Sequence, residues 1–190
     1  MIMQEGRISS QPGHEAERQL ERRLEQFYLW AATAERFEDG WQSDFPQWPE
    51  LIRESEQVMA GVKQSEHALF LLGRCWAISE EDEDCADWAR DHLAEGHVRE
   101  LVRRLAGSAE RDTRWQAYDV LGDVPVLDAQ TLGALGAGIA DEDPYVRRRA
   151  FLALRRHPEI DARPYVVQML ADTDSHNRSV AAQKTADRNK

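Results

Sequence analysis

The chain has 190 residues, 42% hydrophobic and 31% charged, with a formal net charge of −11. That hydrophobic share excludes a disordered chain, and the acidic surplus makes nucleic acid an unlikely partner, because phosphate neutralisation supplies most of a nucleic-acid binder's affinity. The charge balance instead points to another protein with a basic surface, since complementary fields speed encounter.

Residues 1–14 are polar and contain Pro12 and Gly13, which predicts a flexible N-terminus with no apolar leader segment. Residues 15–62 read as an N-terminal helical cap. A first helix runs from about Glu15 to Phe37, with Leu20, Leu24, Phe27, Ala31 and Ala34 at the spacing of one buried stripe. The stretch EDGWQSDFPQWPE breaks it with Gly40, Pro46 and Pro49 and carries Trp41, Phe45 and Trp48. These aromatics fit a plug over the end of the first hairpin, and Trp41 and Trp48 also suit an interface, where tryptophan is favoured. A second helix follows from Pro49 to Val62, and a third from Ser65 to Ile78 is apolar enough to be central.

The run SEEDEDCADWARD is the sharpest charge cluster and reads as an acidic insertion near 79–87. Ser79 or Asp84 could cap the next helix, which is predicted to continue unbroken to about Ala106. Glu80, Glu81, Asp82, Glu83 and Asp84 are the candidate contacts for a basic partner. The run lacks the loop glycine and terminal glutamate of a calcium-binding loop. Past it, helical segments alternate with short turns, and no strand signal survives Pro125. The fold class is therefore all-α.

The second half repeats. RWQAYDVLG, RRRAFLALR and RSVAAQKTA begin at Arg114, Arg147 and Arg178, 33 and 31 residues apart, and each has an alanine three residues on. An earlier copy, SEHALFLLG from Ser65, lacks the arginine. Such a period describes helical hairpins that bury their apolar faces only by stacking. The pattern of DEDPYVRRRAFLAL resembles a HEAT repeat of the short bacterial type, clearest over residues 112–182. The resemblance implies a short α-solenoid of stacked hairpins over residues 63–190. It also implies an internal ladder in which Arg114, Arg147 and Arg178 pair with Asp112, Asp143 and Asp174 or their neighbours.

On a helical wheel Val146, Ala150, Ala153 and Leu154 share one face, with Arg147 at its edge. Arg148 and Arg155 fall on the opposite side, while Arg149 and Arg156 form a third row. All four are expected to face solvent, which makes Arg148 and Arg155 candidate partner contacts.

No catalytic pattern competes with this reading. Cys75 and Cys85 form no CxxC, no G-x-S-x-G occurs, and His92 and His97 stand five apart rather than four. The sequence predicts no metal, no cofactor and a reducing, cytoplasmic setting. It leads to a non-enzymatic binding module or adaptor, in a finer form an immunity protein that neutralises a basic toxin. Two alternatives follow from resemblance to other HEAT-like proteins. One is a bilin lyase-like enzyme using Trp88, Trp115 and Tyr118; the other is a DNA-binding or repair protein.

Overall fold

The computed structural model describes residues 12–34, 41–61, 63–79 and 83–186. Its first helices are α1 (Pro12–Ala31), α2 (Trp48–Met59) and α3 (Glu66–Ile78), with a 3-10 turn at Trp41–Asp44 between α1 and α2. Then follow α4 (Asp84–His92), α5 (Glu95–Leu105), α6 (Arg111–Asp123), α7 (Ala129–Gly138), α8 (Pro144–Leu154), α9 (Arg163–Leu170) and α10 (Ser175–Ala186). No strand occurs among the described residues.

Local chemistry sets several of the starts. Ser65 accepts a hydrogen bond from the Ala68 amide and Asp128 from the Thr131 amide, so each satisfies an orphan donor of the first helical turn. Asp143 caps α8 through the Tyr145 and Val146 amides, and Pro144 takes the first helical position, where its missing N–H costs nothing.

The helices form a short α-solenoid. Pairs climb together along α1 and α3 (Glu17 with Ser65, Tyr28 with Arg74), so these helices run parallel. The same holds for α3 and α6 (Gly73 with Thr113, Trp76 with Gln116) and for α6 and α8 (Trp115 with Tyr145, Asp119 with Arg149). Helix α2 returns antiparallel to α1, pairing Arg23 with Glu54 and Phe27 with Trp48. The parallel helices thus start along one edge of the stack and end along the other. Between the two layers lies a continuous apolar core that includes Leu20, Leu72, Trp76, Leu101, Leu121, Leu135, Phe151 and Met169.

Gly122, against Ala153, and Gly138, against Tyr118 and Ala150, mark close approaches between helices. A Cβ on Gly138 would lie 2.5 Å from Tyr118 Cζ and 2.7 Å from the Ala150 Cβ. Overpacking of this kind costs about 1–3 kcal/mol. Gly138→Ala is therefore expected to lower stability by about 1–2 kcal/mol in urea unfolding, despite alanine's better helix propensity of about 1 kcal/mol.

The long helix expected from 84 to 106 is two. Leu93 and Ala94 adopt extended backbone, with ψ of 142° and 143°. The break lets α4 lie against α2, α3 and α6 while α5 turns to pack on α3, α6 and α7. Neither Ser79 nor Asp84 caps α4. The cap position is Glu83, held in the left-handed region at φ 51° with no side-chain cap bond.

Candidate functional site

The arginine ladder occupies the edge where the parallel helices begin. Arg147 Nε and Nη2 each reach a carboxylate oxygen of Asp172 at 2.7 Å. Its Nη1 donates to the carbonyls of Asp141 and Glu142 at 2.9 and 3.0 Å. Arg114 repeats the arrangement one hairpin earlier, with Asp141 at 2.9 and 3.0 Å and the carbonyls of Ser108 and Ala109. Each arginine therefore closes its own turn and grips the next one.

The expected partners shift by two residues. The ladder carboxylates are Asp141 and Asp172, not Asp143 and Asp174, because the two aspartates of each D-x-D turn have different tasks. Asp141 and Asp172 also accept the amides of Asp143 and Asp174, which fixes the turn. Asp143 and Asp174 cap the helices that follow. Asp112 is not a rung: it lies inside α6 with its carboxylate 3.2 Å from Arg111 Nε. The equivalent turn position is Ser108, whose hydroxyl accepts the Glu110 amide. Arg178 closes its own turn on the carbonyls of Asp172 and Thr173.

The bidentate grip of Arg147 holds the Asp172 carboxyl well below the usual carboxylate range, helped by the Asp174 amide and Asn177. A depressed folded pKa contributes stability that is complete above the unfolded value of about 4 and is lost as pH falls below it. The stability gap between the wild type and Asp172→Asn is therefore expected to narrow between about pH 5 and pH 2, followed by urea unfolding at each pH.

The other arginines of α8 are engaged rather than free. Asp119, with its side chain 9% exposed, receives Arg149 Nη2 and Arg156 Nη2 at 2.7 Å each and Arg90 Nη2 at 3.3 Å. Asp123 adds a second carboxylate for Arg90 and Arg156. The solvent-facing expectation fails for Arg149, because α6 packs beside α8 and turns Asp119 toward it, whereas Arg156 is exposed as expected and still reaches Asp119. Arg149 also lies over the Trp115 ring at 4.9 Å. Arg148 is half-buried, reaches Asn177 Oδ1 at 3.3 Å and lies over the Tyr145 ring. Arg155, also half-buried, lies over the Phe151 ring.

The opposite edge gathers carboxylates. There α1, α3 and α6 end, and the Trp41–Asp44 turn, α4 and α7 begin. Asp44, Asp87, Asp91, Asp123 and Asp128 are exposed, and Glu83 and Asp84 are half-buried. Helix α4 lies along this edge, held at one end by Trp48 Nε1 donating to Asp84 Oδ2 at 3.1 Å and at the other by Arg90 on Asp119. Glu83 faces Arg90 at 3.4 Å. Asp128, which accepts from Thr131 and Arg99, is lowered to a pKa of about 2. Glu80, Glu81 and Asp82 lie outside the described residues.

Trp48 is 8% exposed and packs on Phe27, so it serves the core and the anchoring of Asp84 rather than an open interface. Trp41 is half-buried and stacks on Trp30 and Phe27. Trp115 and Tyr118 are core residues, 6% and 4% exposed, rather than walls of a pigment cleft. Among the described residues no three His, Cys, Asp or Glu side chains are placed to hold a metal, and no helix is long and apolar enough to cross a membrane.

Residues 98–185 match the family model for HEAT repeats. No curated protein and no solved structure matches the chain.

Proposed function

With residues 98–185 a HEAT-like repeat segment, we propose that the protein is a non-enzymatic binding module whose acidic edge takes a partner with a basic surface. The observation that carries this reading is the gathering of Asp44, Glu83, Asp84, Asp87, Asp91, Asp123 and Asp128 where the parallel helices end. The run continues in sequence through Glu80, Glu81 and Asp82. Its carboxylates sit on helix ends and turns of a packed stack, which holds them in fixed relation and favours complementary recognition. In its finer form the module is an immunity protein that blocks a basic toxin, a reading supported by the charge of −11 alone. Cys75 and Cys85 are free and buried, which suits a reducing, cytoplasmic compartment.

Arg148 and Arg155 are a secondary contact in this proposal, since both are half-buried and lie over aromatic rings, Tyr145 and Phe151. The test is kinetic. With the purified partner, association is expected to slow about tenfold or more between low and high salt. Asp87→Lys combined with Asp91→Lys should slow it further at low salt while leaving dissociation nearly unchanged. Association rates indifferent to both salt and charge reversal would remove the proposal.

A further inference from the structure

A groove of about 370 Å³ opens in this acidic edge, between the α4–α5 turn and the C-terminal end of α6. Its walls are apolar, formed by Leu93 and Val98 on one side and by Val120 and Val124 on the other. Its rim is charged: Glu95 and Asp123 are 46% and 47% exposed, whereas Arg90 is 20% exposed and already committed to Asp119, Asp123, Glu83 and Asp87. Next to it Val126 is 62% exposed, and Arg99 links Glu95 to Asp128. The groove sits at the small end of the ~300–1,000 Å³ range of ligand pockets, a scale that suits side chains rather than a large ligand.

We infer that this groove is where a protein partner inserts an apolar side chain flanked by lysine or arginine. The apolar walls give the inserted side chain somewhere to lose water. Glu95 meets Arg99, and Asp123 meets Arg90 and Arg156, yet both carboxylates stay nearly half exposed and can meet the flanking cations, while Arg90 is drawn inward by its own partners. An acidic flank would meet Glu95 and Asp123 as like charges, which lowers affinity for the wrong partner. The inference rests on the acidic-edge reading and adds a defined anchor to it.

Two fluorescein-labelled peptides of equal positive charge separate the two ideas, one alternating lysine with leucine and the other lysine with glycine. The intact protein is expected to bind the leucine peptide at least tenfold more tightly by fluorescence anisotropy. Amide shift changes should centre on Leu93, Val98, Val120 and Val124, and Glu95→Lys should weaken binding of both peptides severalfold. Equal affinities for the two peptides, or shift changes centred elsewhere, overturn the groove as an anchor. Such a result leaves the acidic edge standing if Glu95→Lys and Asp87→Lys still weaken both peptides. Indifference of both peptides to these charge reversals, or no binding of either, overturns the edge and the groove together.

Discussion

Arg147→Ala is expected to cost about 3 kcal/mol of folding stability, far more than Arg148→Ala one residue away. The two arginines are both half-buried on one helix, so composition and helix propensity do not separate them. What separates them is what each truncation strands. Without Arg147, the Asp172 carboxylate, whose side chain is 5% exposed, loses both of its 2.7 Å partners. The carbonyls of Asp141 and Glu142 lose their shared donor as well. A buried charge left without its partner costs about 3–5 kcal/mol, and the partial exposure of this pair places the effect at the lower end. Arg148 reaches Asn177 at 3.3 Å and lies over the Tyr145 ring, with no carboxylate among the described residues stranded by its removal, so its loss should cost about 1 kcal/mol. A double-mutant cycle of Arg147→Ala with Asp172→Ala should return a coupling of about 2 kcal/mol. Equal costs for Arg147→Ala and Arg148→Ala would show that the ladder is not what joins neighbouring hairpins.

Asp119→Ala should be at least as damaging, at about 3–5 kcal/mol. It removes a carboxylate shared by Arg90 of α4, Arg149 of α8 and Arg156 of the turn after α8, which it draws onto α6. Asp123 can still face Arg90 and Arg156 at 3.1 and 3.3 Å, but Arg149 keeps no carboxylate among the described residues. The loss should also be local. Helix α4 is moored at its C-terminal end by Arg90, so amide hydrogen exchange across residues 84–92 is expected to rise more than across α9. Unchanged protection of α4 in a folded Asp119→Ala protein would mean that the apolar contacts of Cys85, Ala86 and Ala89 suffice to hold it.

The fold was legible where sequence and packing follow the same period. The spacing of Arg114, Arg147 and Arg178 marks three equivalent helix starts at α6, α8 and α10, and the HEAT resemblance around 141–154 is carried by the residues that form the ladder. Its register was half legible. The 33-residue spacing that aligns Arg114 with Arg147 also sets Ser108 against Asp141, but a serine there hides a turn whose geometry is the same. The two tasks within D-x-D were hidden too, because both residues are aspartate and only the chain path shows which one faces the previous arginine.

Other features depend on neighbours that no single helix reports. A helical wheel puts Arg149 and Arg156 away from the Val146 face, yet α6 supplies Asp119 to that side. The break at Leu93–Ala94 carries no proline and no glycine, and it lets α4 reach α2 while α5 reaches α7, although both also pack on α3 and α6. Trp48 was a contact candidate because tryptophan is favoured at interfaces, whereas Phe27 and Asp84 enclose its ring and its indole N–H. The acidic run was plain from composition. Its concentration on one edge was not, since Asp44, Asp91, Asp123 and Asp128 join it only through the parallel order of α1, α3 and α6.

The most direct test of the acidic edge as the binding surface is a paired affinity capture from the native host. It compares the tagged wild type with a folded variant carrying Asp44→Lys, Asp87→Lys, Asp91→Lys and Asp128→Asn, with quantification of every recovered protein. The account predicts a basic protein that is recovered with the wild type and depleted at least tenfold with the variant. Equal recovery of the same partners by both proteins would contradict it.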